Sequence, residues 1–390
     1  MPDWRMALIN YITQVQLDFG ALALLPEELD RARITKPLFV TDAGVRAAGL
    51  LDKAVHALGK RPHAVFDATP SNPPEAAVRE AARVFTEQGC DGLVAVGGGS
   101  SIDLAKGVAI VATHAGPMAS YATIEGGSPK ITEKAVPLIA VPTTAGTGSE
   151  VARGAIVIVD DGRKLGFHSP HLIPKGAICD PELTLGLPAW LTAATGMDAI
   201  AHCMETFMSG AINPPADGIA LDGLERAWNH IERATADGSD REARFNMMSA
   251  SMQGAMAFQK GLGCVHSLSH SLGGFNPKLH HGTLNALFLP AVVRFNASAH
   301  SMLRDRRLAR MGHAMGLDAS ASADDTGEAV ADAIREMSKR LGLPSGLAAL
   351  GVAPEHFERI IDGAMADHCH KTNPRLATRA DYVAMLETSM

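Results

Sequence analysis

Short, nearly unbroken apolar runs recur through the first half of the chain: Pro37-Leu-Phe-Val-Thr, Ala64-Val-Phe-Asp, Gly92-Leu-Val-Ala-Val, Leu138-Ile-Ala-Val and Ala155-Ile-Val-Ile-Val. Runs of this length without polar alternation predict strands buried on both faces. Between them lie segments such as Glu75 to Gln88, where Ala77, Val78, Ala81, Val84 and Phe85 share one helical stripe. Strand and helix therefore alternate, as in βαβ units of a mostly parallel sheet. After the stretch from Pro181 to Pro188 the strand-like runs stop and a helical period takes over, predicting helices near 189–209, 216–236, 241–260, 283–296, 324–341 and 354–366. The pattern predicts an α/β domain over 1–184 and an all-helical domain over 185–390, with a ligand in the crevice between them, where such sites favour domain interfaces and the carboxyl ends of strands. Met248, Met252 and Met256, spaced by four, read as core filling.

Composition narrows the class. At 46% hydrophobic and 20% charged over 390 residues, the chain can build a sizeable core. Its 35 basic and 42 acidic residues give a net charge of −7, and the basic ones are scattered, which argues against nucleic-acid binding. Five cysteines without a C-x-x-C spacing fit neither a disulfide framework nor a structural zinc site, and point to a reducing, cytoplasmic setting. No basic and apolar leader and no stretch of 18 apolar residues suggests export or membrane insertion.

Three motifs carry chemistry. Gly97-Gly-Gly-Ser-Ser-Ile-Asp follows a predicted strand and opens a predicted helix. Backbone without Cβ atoms at Gly98 and Gly99, the hydroxyls of Ser100 and Ser101, and the helix N-terminus suit a pyrophosphate, although the run is not G-x-G-x-x-G. Asp42, closing the Leu38-Phe-Val-Thr strand, suits ribose hydroxyls and would repel a 2′-phosphate, favouring NAD. The Val141-Pro-Thr-Thr-Ala-Gly-Thr-Gly-Ser-Glu loop adds hydroxyl donors from the other side. Asp198 and His202 lie four apart in Gly196-Met-Asp-Ala-Ile-Ala-His, on one face of a predicted helix. With His266, His270 and His281 further on, they resemble a metal site.

Taken in order, Gly97-Gly-Gly-Ser-Ser-Ile-Asp, Pro142-Thr-Thr-Ala-Gly-Thr-Gly-Ser-Glu, Gly196-Met-Asp-Ala-Ile-Ala-His, His266-x3-His270-x2-Gly273 and His281-Gly282 resemble the signatures of the iron-dependent alcohol dehydrogenase family across nearly the whole chain. The resemblance implies a Rossmann-like variant dinucleotide-binding domain followed by an all-α domain, an architecture shared with dehydroquinate synthase. It implies NAD, and Fe(II) held by Asp198, His202, His266 and His281, with Zn(II) as the alternative ion. His280, adjacent to His281, is an alternative fourth ligand. His270 matches a histidine close to nicotinamide and substrate, which makes it the candidate proton carrier. Gly98, Gly99, Ser100, Asp103, Thr143, Thr144, Thr147 and Ser149 fall in the two loops expected to hold the cofactor, and Asn72, Lys164 and Leu183 fall at further cofactor-contacting positions. The expected substrate is a small alcohol or aldehyde, with an ω-hydroxy acid as the finer expectation, and the expected assembly is a homodimer or larger. For an acid's carboxylate the candidate partners are Arg153, Lys278, His168 and the His368/His370 pair. A second metal at His368-Cys369-His370 is disfavoured, because adjacent residues face different ways. Rival expectations are a non-redox lyase on the same architecture, a nucleotide-binding regulatory protein, and a metal-assisted hydrolase using Glu205 as base.

Overall fold

In the computed structural model, which describes residues 13–318 and 322–390, the first half comprises β1 (Gln14–Leu17), α1 (Leu25–Arg31), β2 (Pro37–Val40), α2 (Ala43–Ala47), α3 (Leu50–Leu58), β3 (Ala64–Phe66), α4 (Glu75–Glu87), β4 (Gly92–Gly97), α5 (Gly99–Val111), β5 (Leu138–Pro142), β6 (Gly154–Ile158), β7 (Lys164–His168) and β8 (Gly176–Cys179). Six of the strands form one parallel sheet in the order β1-β8-β5-β4-β2-β3. Successive residues of its central strands feed two separate cores. Leu38, Val40, Leu93, Ala95, Leu138 and Ala140 pack with Val78, Phe85, Leu104 and Val108 of α4 and α5. Phe39, Val94, Val96, Ile139 and Val141 pack with Leu25, Leu29, Leu51 and Leu58 of α1 and α3. Burial on both faces is why these strands are apolar without alternation.

The run at 155–159 departs from its expected place. β6 pairs antiparallel with β7 in a separate two-stranded hairpin, and its burial alternates residue by residue. Only one of its faces is covered, so Ala155 and Val157 are buried while Ile156 and Ile158 are partly exposed. The parallel sheet instead gains β1 and β8, short segments whose strand character the apolar pattern did not reveal. Pairing of β4 with β5 sets Gly97 opposite Pro142, so the glycine loop and the Thr/Ser loop leave the sheet at the same level.

The second half is helical among its described residues: α6 (Ala189–Met208), α7 (Pro214–Ala236), α8 (Arg241–Met256), α9 (Cys264–Phe275), α10 (His281–Asn296), α11 (His300–Arg304), α12 (Arg307–Ala314), α13 (Ala323–Arg340), α14 (Phe357–Ala366) and α15 (Arg379–Thr388). The chain divides into its two compact units between Leu187 and Pro188. Every residue of α6 from Thr192 to Met208 is buried, which makes it the central helix of its unit. Gly196 and Gly223 let α7 approach: a Cβ on the first would lie 2.7 Å from Ile231, and on the second 2.8 Å from Cys203. Of the methionine stripe on α8, Met248 is fully buried, whereas Met252 and Met256 are half-buried. No helix among the described residues is long and apolar enough to cross a membrane.

Candidate metal centre

α6 carries two carboxylates and one imidazole, and each of them is buried: Asp198, Glu205 and His202. A buried carboxylate must find partners or a cation to offset its lost hydration. Asp198 finds three imidazoles. Its Oδ1 lies 3.4 Å from His202 Nε2, 3.7 Å from His266 Nε2 and 3.6 Å from His281 Nε2. The i, i+4 spacing brings His202, α9 brings His266, and the first residue of α10 brings His281. His202 stacks on His266 at 4.6 Å between ring centroids, and Phe258 packs edge-on against His202.

These separations fit an ion. Donors bound at about 2.0–2.2 Å in near-tetrahedral directions lie roughly 3.3–3.6 Å apart, and the Asp198 to imidazole distances fall at or near that value. Asp198, His202 and His266 are recognisable from geometry alone as a group able to hold a metal. The electrostatics agree. Burial favours the neutral acid, yet the His202, His281 and His266 imidazoles hold Asp198 well below the usual carboxylate range. Burial likewise opposes charge on His266, but its bonds to Asp198 and Glu205 win and raise it to about 9. The cluster therefore attracts positive charge. Oxygen and nitrogen donors without thiolate suit Fe(II).

Glu205 organises this cluster from behind. One of its oxygens accepts the Nδ1 proton of His266 at 2.5 Å and the His266 backbone N–H at 3.3 Å, while the other accepts the Val265 N–H at 2.8 Å. The carboxylate thus caps the first turn of α9 and also fixes the His266 tautomer, leaving Nε2 to face Asp198. It is a positioning group, not the general base of a hydrolase. Asn285, one turn into α10 and fully buried, donates through Nδ2 to Asp198 Oδ1 at 2.7 Å and lies 3.2 Å from His281 Nε2. Sequence reasoning did not single out Asn285, and its only local signal is its i+4 spacing from His281.

The start of α10 separates His281 from His280. His280 is the N-cap, with extended backbone, and its ring packs edge-on against Trp190 at 5.8 Å. His281 is the first helical residue and turns toward Asp198. Gly282 allows this: a Cβ there would run into the Ala194 carbonyl of α6. His270 stands beside the cluster with its ring stacked on His281 at 5.4 Å and its Nδ1 3.0 Å from Asp367 Oδ2. Of the basic residues considered for a carboxylate in this unit, Lys278 is exposed, His370 is buried against the Tyr382 hydroxyl at 2.9 Å, and His368 stacks on His270 at 6.0 Å.

In the α/β unit the two loops interlock. Thr143 N–H donates to the Gly97 carbonyl, and a Cβ on Gly98 or Gly99 would meet Thr144 or Thr147 at 3.2 and 2.7 Å. Gly98 is the N-cap of α5 and has no side chain to occupy the first-turn N–H groups, which with Ser100 beside them suits a phosphate. Asp42 caps α2 by accepting the Val45 N–H and accepts Ser101 Oγ at 3.4 Å, which ties the end of β2 to the glycine loop. Asn72, in a left-handed conformation, accepts from Lys164 Nζ at 2.8 Å. Three of the residues expected near the cofactor also serve the protein's own packing. Asp103 is spent on Ser149 Oγ at 2.7 Å and the Ile156 N–H, Ser149 is buried beneath its loop, and Leu183 belongs to the apolar core. Lys106, also fully buried, donates to the carbonyls of Ser149, Ala152 and Gly154 and so holds the second loop in place. Arg153 is exposed, and His168 is 2.8 Å from the Thr123 hydroxyl.

A parallel-sheet unit with a glycine loop at a helix N-terminus, followed by a helical unit carrying one aspartate and three histidines, suits a metal-dependent enzyme with a dinucleotide cofactor. Residues 13–181 match the family described as iron-containing alcohol dehydrogenase, and residues 192–390 match the C-terminal part of the Fe-containing alcohol dehydrogenase family. The chain belongs to that family and is an iron-type, NAD-dependent alcohol dehydrogenase. It is 66% identical over 389 residues to 4-hydroxybutyrate dehydrogenase of Cupriavidus necator, covering 99% of this chain and 100% of the relative. It is 35% identical to the NAD-dependent methanol dehydrogenase of Bacillus methanolicus, covering 95% and 96%. Among solved structures, a 1,3-propanediol oxidoreductase superposes with a TM-score of 0.91 at 34% identity, covering 98% of this chain and 100% of that one.

Proposed function

We propose that the chain interconverts 4-hydroxybutyrate and succinate semialdehyde, the alcohol carbon passing hydride to NAD and the hydroxyl oxygen giving up one proton. The observation that carries this reading is the 66% identity over the full length of a 4-hydroxybutyrate dehydrogenase. Sequence runs such as Gly166-Phe-His-Ser, Leu279-His-His-Gly-Thr-Leu-Asn and Asp367-His-Cys-His-Lys-Thr-Asn-Pro resemble that enzyme beyond the family signatures.

Asp198, His202, His266 and His281 would hold the iron, supported by the 3.4–3.7 Å spacing of their donor atoms from Asp198 Oδ1. Held there, Fe(II) or Zn(II) supplies Lewis acidity, which lowers the pKa of an alcohol hydroxyl and polarises an aldehyde carbonyl. The remaining work falls to the protein. Glu205 holds the His266 ring, and Asn285 holds Asp198 through its bond to Oδ1. His270 carries the hydroxyl proton away. Its Nδ1 is hydrogen-bonded to Asp367, which leaves Nε2 as the exchanging nitrogen. Gly98, Gly99, Ser100, Thr144 and Thr147 would hold the diphosphate of NAD, and Asp42 its adenosine ribose. We further read the assembly as a homodimer or larger and the setting as the cytoplasm. Five unpaired cysteines support the setting, and the family resemblance supports the assembly.

The test is NADH formation by protein stripped of metal and reloaded with Fe(II), Zn(II), Mn(II) or Mg(II), across short alcohols, diols and ω-hydroxy acids. The expected result is a clear preference in kcat/KM for 4-hydroxybutyrate over butanol. Equal use of butanol refutes the substrate, and no NADH with any alcohol refutes the reaction.

A further inference from the structure

A second convergence of metal-binding side chains lies in the helical unit, outside the four-residue cluster. After α14 the chain makes a tight turn over His368–Thr372. Asp367 opens that turn and accepts the Cys369 N–H at 2.8 Å, which folds carboxylate and thiol to the same side. From α9, His270 reaches Asp367 Oδ2 at 3.0 Å. One donor atom each from His270, Asp367 and Cys369 lies within 4.8 Å of the other two. His368 borders this group, with Nε2 3.5 Å from Cys369 Sγ and Nδ1 3.6 Å from Asp367 Oδ1, but its two nitrogens face opposite ways and the donor set is the other three. Bonds of about 2.0–2.2 Å to nitrogen or oxygen and about 2.3 Å to sulfur, directed tetrahedrally, separate donors by roughly 3.3–3.6 Å. The observed spacings bracket that range.

We propose that His270, Asp367 and Cys369 form a second, inhibitory site for a thiophilic divalent cation of the Zn(II) type. It shares no donor with Asp198, His202, His266 or His281. The chemistry of the two sets differs as well: the first offers only oxygen and nitrogen, whereas the second adds a sulfur, which favours Zn(II) or Cd(II) over Fe(II). On binding, the Cys369 thiol gives its proton to solvent, the His270 ring proton shifts from Nδ1 to Nε2, and the His270–Asp367 hydrogen bond is replaced by two bonds to the ion. Without a cation, burial and then the neighbouring Asp367 carboxylate keep the thiol protonated well above its ordinary range. The inhibition rests on His270 as the proton carrier, while the binding does not.

The experiment titrates Cd(II) and Zn(II) into the iron-loaded protein, following iron content, the ultraviolet charge-transfer band of a Cd–thiolate bond, and turnover. In the unmodified chain a second equivalent binds with one thiolate, iron stays at one equivalent, and Zn(II) inhibits. In Cys369→Ser, turnover and iron are retained, the band disappears, and the Zn(II) inhibition midpoint rises at least tenfold. Cys90→Ser, which removes the partly exposed thiol, leaves both effects in place. A band that survives Cys369→Ser and is lost in Cys90→Ser overturns the site. So does inhibition that tracks loss of iron equally in all three proteins. A band without inhibition overturns the inhibitory role together with the relay. Cadmium NMR of the unmodified chain tests the site without a variant: a thiolate-shifted resonance supports it, and the lack of one refutes it.

Discussion

Replacing Glu205 by Gln tests whether a residue that touches neither substrate nor iron sets the metal affinity. The carboxylate accepts three hydrogen bonds, from Val265 N–H, His266 N–H and His266 Nδ1–H, in a place that is 1% exposed. A glutamine offers one acceptor oxygen and one donor nitrogen, so at least one buried donor loses its partner. An unsatisfied buried donor costs about 1–3 kcal/mol, which the metal-free protein should show as a lower Tm. If the lost bond is the one to Nδ1, His266 no longer holds Nε2 toward Asp198. Removal of such an orienting partner typically weakens metal binding 10–100-fold, or about 1.4–2.8 kcal/mol. Chelator competition for Zn(II) and Fe(II), with calorimetric melting of both metal-free and loaded forms, measures the two effects separately. Affinity within threefold of the parent, with an unchanged Tm of the metal-free form, would refute the assignment of Glu205 as the group that orients His266.

Three further outcomes follow from the same geometry. Gly282→Ala should push α10 off the Ala194 carbonyl, costing about 1–3 kcal/mol and lowering metal stoichiometry, whereas Gly210→Ala, with nearest atoms at 3.8 Å, should melt normally. His266 is raised from 6.5 to about 9 in the folded protein. Its contribution to stability is therefore fully present below pH 6.5 and lost as pH rises toward 9, so the metal-free form should weaken across that window while the loaded form, with the ion in the proton's place, does not. Calorimetry near pH 8 in buffers of different ionisation enthalpy should accordingly show a proton released on metal binding. Lys106→Met should strand the Ser149, Ala152 and Gly154 carbonyls, each unsatisfied buried group costing about 1–3 kcal/mol, and should weaken NAD binding in fluorescence titration while sparing metal binding.

Local spacing made much of this molecule legible. The unbroken apolar strands of β2, β4 and β5 declare a sheet covered on both faces, and a glycine run between strand and helix declares a tight turn into a helix N-terminus, because both follow from backbone geometry within a few residues. The pairing of Asp198 with His202 is legible for the same reason, one helical turn fixing which side chains share a face. The hairpin of β6 and β7 was not legible, since an apolar five-residue run does not say which neighbour it will pair with. Nor was the service of Asp103 and Ser149 beneath the second loop, which depends on how closely that loop approaches α5.

The sequence alone thus determined the main buried strands, the change from an α/β to a helical pattern and the kinds of side chain available for chemistry, because these depend on periodicity and short-range backbone preference. Tertiary structure decided which of them meet. It brought Glu205 to the N-terminus of α9, chose His281 over His280 by where α10 begins, and set Cys369 and Asp367 against His270 across about a hundred residues of chain. Such contacts are fixed by how closely helices can approach, as at Gly282 against Ala194, and close packing of that kind is a property of the assembled core, not of any segment within it.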